Sequence, residues 1–189
     1  LITVAHPDDE TIGMGGTIKK LSKNNEITLC VMTDGASAQY DGKKMIKVRQ
    51  DACKKAGKIL GISKFHFLNF PDMKLDSISH VEMNKELEKI IKKINPKILY
   101  STSYNDLNKD HQKVFESCSV ISRPISSKIK QFLCFEMGGR NKTPFNPNTY
   151  VDISKELSFK LKALNQYKTE INPFPHERSL KFIESLSHV

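Results

Sequence analysis

Tryptophan is absent, and cysteine and arginine are both scarce in this 189-residue chain. Of the 30 Lys and Arg residues only Arg49, Arg123, Arg140 and Arg178 are arginine, so 26 are lysine. Base-edge and bidentate phosphate recognition lean on arginine. The net charge of +9 is therefore read as solvated, Lys-rich helix faces, and no nucleic-acid partner is expected. Cys30, Cys53, Cys118 and Cys134 show no Cys-x-x-Cys spacing, which points to reduced, buried thiols in a cytoplasmic protein. No apolar run approaches the roughly 18 residues needed to cross a bilayer, so no membrane span is expected. Leu1 is not an initiator Met and opens an apolar run to Ala5. The expectation is one domain over residues 1–189, truncated at both ends.

What is present alternates in period. Leu1–Ala5, Glu26–Thr33, Lys64–Leu68, Lys97–Thr102 and Gln131–Glu136 read as strands. Between them, Thr11–Lys23, the apolar series Met45 to Ile59, the series Met83 to Ile94 and Asp110–Ile121 read as helices. Gly61 and Asn95-Pro96 act as stops. Residues 137–149, rich in Gly, Asn and Pro and including Arg140, predict a loop. A last strand is expected over Tyr150–Ile153, with a helix over Lys155–Tyr167. The class is α/β: a three-layer α/β/α sandwich with a mostly parallel, Rossmann-like sheet. Ligands of such sheets bind at the carboxyl ends of the strands, here Ala5–Glu10, Thr33–Ser37, Asn69–Asp72 and Ser101–His111. Gly13-Met14-Gly15-Gly16 lacks the spacing of a dinucleotide loop and reads as close packing of the first helix.

The run His6-Pro7-Asp8-Asp9-Glu10 follows the first strand directly. Pro7 stiffens the turn and biases His6 toward extended geometry, so a His and two carboxylates at one strand end are aimed together. Asp110-His111, after the strand Lys97–Thr102 and a loop, is the distal partner. A catalytic zinc site typically takes three protein ligands, and two His with one carboxylate is a known set. His6, His111 and one of Asp8 or Asp9 would supply it, with Asp110 orienting its neighbours.

These residues resemble the zinc-dependent N-deacetylases of the PIG-L/LmbE family, which act on N-acetylglucosamine-type amino sugars. The resemblance runs through Ala5–Glu10, Gly15-Gly16-Thr17, Thr33-Asp34-Gly35, Arg49, Leu60-Gly61, Pro71-Asp72 and Asp110-His111. Toward the end, Pro147-Asn148, Val151–Ser154, Lys160, Leu164, Tyr167, Pro175-His176 and Arg178-Ser179 resemble a bacterial branch that serves surface-polysaccharide and lipopolysaccharide pathways. The resemblance implies one zinc ion per chain on His6, Asp9 and His111, and leaves Asp8 as general base. It implies substrate contacts at Arg49 and Asp72, an orienting role for Asp110, and a small-molecule amino-sugar substrate.

One position departs from the family. Its usual His-x-Asp-His reads Asn108-Lys109-Asp110-His111 here, an Asn that some polysaccharide-type relatives share. Asn108 can donate a hydrogen bond to substrate but is no acid, so proton delivery falls to Asp8, with His176 the second candidate. His66 and His80 are read as structural. Two other functions compete: a different metal-dependent hydrolase such as a phosphoesterase, and a non-catalytic basic protein that binds nucleic acid or an anionic polymer.

Overall fold

The computed structural model describes residues 1–40, 43–124, 127–139 and 141–188. Five strands form one parallel sheet: β1 (Ile2–Val4), β2 (Thr28–Thr33), β3 (Lys64–Phe70), β4 (Ile98–Thr102) and β5 (Gln131–Phe135), in the order β3-β2-β1-β4-β5. Helices α1 (Asp9–Leu21), α2 (Lys43–Leu60), α3 (His80–Ile94) and α4 (Lys109–Ile121) connect the strands, and α5 (Leu157–Leu164) and α6 (Leu180–Leu186) follow β5.

Alternation along the buried strands builds two apolar layers, because successive side chains leave opposite faces. Ile2, Val4, Leu29 and Val31 join α1, α2, α5 and α6 residues such as Ile18, Leu60, Leu164 and Ile183 in one cluster. Ala5, Cys30, Met32 and Leu99 face α3 and α4 through Met83, Leu87, Val114 and Cys118. The three-layer α/β/α sandwich is thus present as the sequence predicts. The chain steps outward from β1 to β2 and β3, then crosses back to β4 on the other side of β1. That reversal puts a crevice at the carboxyl ends of β1 and β4.

Three local expectations change. Helix α1 begins at Asp9, two residues before the expected Thr11, because the Asp8 carbonyl accepts the N–H groups of both Thr11 and Ile12 at 3.0 and 2.9 Å, and it is kinked within the glycine run, where Met14 leaves helical geometry at φ −140° and ψ 22°. Gly16 sits where a Cβ would come within 2.6 Å of the Ile153 side chain, so close helix packing is what these glycines allow. Tyr150–Ile153 is not a strand: among the described residues no strand pairs with it, and the Ile153 carbonyl instead accepts from Glu156 and Leu157 at the start of α5. Of the cysteines, Cys30, Cys53 and Cys118 are buried thiols, while Cys134 is exposed on the edge strand β5.

Candidate metal centre

His6 lies just past β1, and the turn behind it is tightly held. Its backbone N–H donates to Asp9 Oδ2 at 2.8 Å. Asp8 adopts φ 126° and ψ −28°, a region that residues with a Cβ rarely visit. His111 sits in the first turn of α4. Thr102 at the end of β4 donates its hydroxyl to the His111 carbonyl at 3.1 Å. Because β1 and β4 are neighbours, residues 105 positions apart meet.

His6 Nδ1 lies 3.2 Å from His111 Nε2, and Asp9 Oδ2 lies 3.4 Å from the first and 3.3 Å from the second. Ligands on a tetrahedral ion with bonds of about 2.0–2.1 Å stand roughly 3.3–3.4 Å apart, so the three edges match that spacing. The opposite ring nitrogens are already engaged. His111 Nδ1 is 2.7 Å from Asp106 Oδ2, while His6 Nε2 is 3.3 Å from both Asp110 Oδ2 and Asp72 Oδ1. When those nitrogens carry the ring hydrogens, two imidazole lone pairs face each other beside a carboxylate, an arrangement that calls for a cation. His6, Asp72 and Asp110 make a second donor group, joined to the first through His6.

The buried carboxylates around the two rings stabilise positive charge there. Burial pulls the His6 imidazole down, but the Asp9 charge and the bonds to Asp110 and Asp9 outweigh it and push it up to about 10. His111 is likewise pulled down by burial and pushed up, to about 9, mainly by Asp9 and Asp106. Burial works to raise the Asp9 carboxyl, yet the two imidazoles hold it well below the usual carboxylate range. The pocket selects positive charge.

Asp110 lies against His6, with Oδ2 3.3 Å from its Nε2. Its two oxygens accept Met73 N–H at 2.8 Å and Leu75 N–H at 3.0 Å, fixing the loop after β3. The carboxylate behind His111 is Asp106, which sequence reasoning missed; its position five residues before His111 was the available signal.

Asp8 is fully buried, with Oδ2 3.4 Å from Arg49 Nη2 and 3.6 Å from Arg178 Nη1. Its Oδ1 has no hydrogen-bond partner among the described residues. Burial drives this carboxyl up and the two guanidinium charges restrain it, leaving it at about 6. Arg49 is 4% exposed; it also donates to the Pro7 carbonyl at 3.0 Å and lies 3.3 Å from Glu170. Glu170 in turn accepts from Arg178 at 2.8 Å. Glu10 is buried beside them, raised to about 7 by burial against the pull of its Thr11 and Tyr167 hydrogen bonds. No local pattern flagged Tyr167, Glu170 or Arg178 as partners of the first turn.

A cleft of about 20 Å³ opens on this cluster, with Asp9, His111, Met137, Gly138, Glu177 and Arg178 in its lining. Asp72 is buried next to His6. Asn108 caps α4, its side chain accepting from Asp110 N–H at 2.8 Å. His176 is exposed, its Nδ1 accepting from Arg178 N–H at 3.0 Å, and does not line the cleft. His66 lies in β3 and His80 opens α3. Arg140 lies outside the described residues.

Comparison with known proteins finds deacetylases among the relatives of this chain. A sequence profile of the PIG-L family, described as GlcNAc-PI de-N-acetylase, matches residues 1–121. The chain is 29% identical to diacetylchitobiose deacetylase of Thermococcus kodakarensis, over 91% of this chain and 68% of the relative. It is 31% identical to the uncharacterized deacetylase YaiS of Escherichia coli, over 87% of this chain and 88% of the relative. Among solved structures, the N,N'-diacetylchitobiose deacetylase of Pyrococcus horikoshii superposes with a TM-score of 0.77 at 25% identity, covering 98% of this chain and 75% of that one.

Proposed function

The chain belongs to the GlcNAc-PI de-N-acetylase (PIG-L) family, and on that premise we propose that it hydrolyses the acetamide of an N-acetylglucosamine-type sugar with zinc as its metal. The observation that carries this reading is the triangle of His6 Nδ1, His111 Nε2 and Asp9 Oδ2, with edges of 3.2, 3.4 and 3.3 Å. These three residues would hold one ion per chain. Bound there, zinc supplies Lewis acidity and lowers the pKa of a water from 15.7 to about 7.

The chain's own groups do the rest. Asp8 Oδ1 is unpartnered and takes the proton of the attacking water, while Arg49 and Arg178 hold Oδ2. The hydroxyl adds to the acetyl carbonyl carbon, the C–N bond breaks, and Asp8 returns the proton to the departing nitrogen. Acetate and a free amine result. Asp8 is favoured over His176 for that return because its Oδ1 is a buried oxygen with no hydrogen-bond partner among the described residues, next in sequence to Asp9, whereas His176 is exposed with Nδ1 turned to the Arg178 N–H. Asp72 and Arg49 are assigned to hold His6 and Asp8, and Asn108 to cap α4.

Residues 1–189 are read as one deacetylase domain. The substrate is an amino sugar; the residues from Pro147 to Ser179 that resemble the polysaccharide-type branch favour a sugar of surface-polysaccharide synthesis. The named activity of the Thermococcus relative favours a short N-acetylglucosamine oligosaccharide as a first probe. No described helix is long and apolar enough to cross a membrane, and a cytoplasmic site of action is proposed. Acetate release should be measured on N,N'-diacetylchitobiose, nucleotide-linked and lipid-linked N-acetylglucosamine, before and after chelation. Turnover of at least one, lost on chelation and restored by one equivalent of zinc, is expected. Turnover indifferent to chelation, or none with any of the three, overturns the reading.

A further inference from the structure

Asp8 is held in an unfavourable backbone conformation by two sets of partners, one of which, Glu10 with Tyr167, has no part in the chemistry described so far. At φ 126° an aspartate does not stay without support from outside the turn. Two supports converge on it. At its backbone, the Asp8 N–H donates to Glu10 Oε2 at 3.2 Å, and Glu10 Oε1 accepts from the Tyr167 hydroxyl at 2.5 Å and the Thr11 hydroxyl at 2.6 Å. At its carboxylate, Arg49 and Arg178 both reach Oδ2, and both are gripped by Glu170 at 3.3 and 2.8 Å. Tyr167 and Glu170 come from one turn after α5, where Glu170 N–H donates to the Tyr167 carbonyl at 2.9 Å. Tyr167 is 1% exposed and Glu10 0%, and the Tyr167 hydroxyl and Glu10 Oε1 are engaged with each other.

We propose that Tyr167 is a positioning residue for the Asp8 base: its hydroxyl holds Glu10, Glu10 holds the Asp8 backbone N–H, and the pair keeps the unpartnered Oδ1 in place. This rests on Asp8 being the general base. A carboxylate that must meet a proton within hydrogen-bond reach loses rate steeply when it drifts, and a backbone released from a strained φ turns the whole side chain. The turn at 167–170 lies beyond the residues matched by the family profile, 1–121, so the carboxyl-terminal part of the chain completes a catalytic loop near its start.

Tyr167→Phe removes one buried hydroxyl and keeps the ring. Its kcat on the deacetylation substrate should fall about tenfold to a hundredfold, with KM and zinc content within about twofold of wild type. Glu10→Gln, nearly isosteric, should give the same split and serves should Tyr167→Phe not fold; melting curves establish that each variant is folded at the assay temperature. In an Asp8→Asn background, adding Tyr167→Phe should cost nothing further, since there is no base left to position. A purely structural role would give the same loss in both backgrounds and would overturn the proposal, as would unchanged kcat or a loss that follows zinc content. If instead Asp8→Asn keeps wild-type turnover, the general-base reading itself has failed, and a positioning role for Tyr167 falls with it.

Discussion

Asp106 Oδ2 and His111 Nδ1 lie 2.7 Å apart, and this contact decides which nitrogen of the imidazole faces the centre. With the ring hydrogen held by Asp106, Nε2 presents its lone pair toward His6 Nδ1 at 3.2 Å. Asp106 is 1% exposed and also accepts from Asn108 N–H at 2.8 Å, so its carboxylate is fixed from both sides. Asp106→Ala should weaken zinc binding about 10–100-fold. Competition with a chromophoric chelator reads this directly; unchanged affinity would mean that His111 is oriented by something else.

Asp8 and Asp9 are adjacent yet should fail differently. Asp8→Asn keeps the turn and leaves zinc content near wild type, but lowers turnover by about 10²–10⁴. Asp9→Ala removes a donor of the triangle and should lose both. Metal analysis beside acetate release, on the same preparations, separates the two. His176→Ala should retain most activity; a loss as deep as that of Asp8→Asn would return proton delivery to His176.

Arg49 tests whether a buried arginine serves structure or substrate. It is 4% exposed, between Asp8 and Glu170. Breaking a buried pair leaves an uncompensated charge, so Arg49→Met should destabilise the fold by about 3–5 kcal/mol, read from urea midpoints. A variant of unchanged stability whose KM alone rises would restore the substrate-contact role that the family resemblance implies.

Lys160 offers a pH test away from the metal. It is 6% exposed on α5, with Nζ 3.0 Å from Ser187 Oγ. Burial lowers its ammonium from 10.5 to about 8. Below about 8 the folded protein carries the full penalty of a buried charge. Between about 8 and 10.5 the unfolded chain binds more protons than the folded one, so this contribution to stability improves as pH rises. Lys160→Met should therefore stabilise at pH 7, by up to about 3 kcal/mol, less whatever the Ser187 bond contributes. The gain over wild type should shrink by pH 10. A gain that is constant with pH would contradict the sign.

The alternation of apolar runs, the stops at Gly61 and Asn95-Pro96, and the His6–Glu10 turn after a strand were legible because each depends on a few adjacent residues. Strand and helix periods declare themselves within a window of about 11–18 residues. The rule that ligands gather at strand ends then places His6 near His111 without coordinates. Tyr150–Ile153 misled the same reasoning: its β-prone residues have no neighbouring strand among the described residues to pair with, and α1 takes Ile153 as packing against Gly16 instead.

The sequence by itself determined the α/β architecture and the donor types, since periodicity and side-chain chemistry are local properties of the chain. Only the tertiary structure decided which atoms face which. His6 Nδ1 faces His111 Nε2 across 105 positions, an atomic pairing the strand-end rule does not specify, and Tyr167 meets Glu10 across 157, where no local pattern records a partner at all. Folding brings such groups together through the register of β1 against β4 and the packing of α5 on α1. The low dielectric of the interior then makes each buried charge depend on whatever opposes it. That is how Asp106 rather than Asp110 comes to lie against His111, and Arg49 against Asp8.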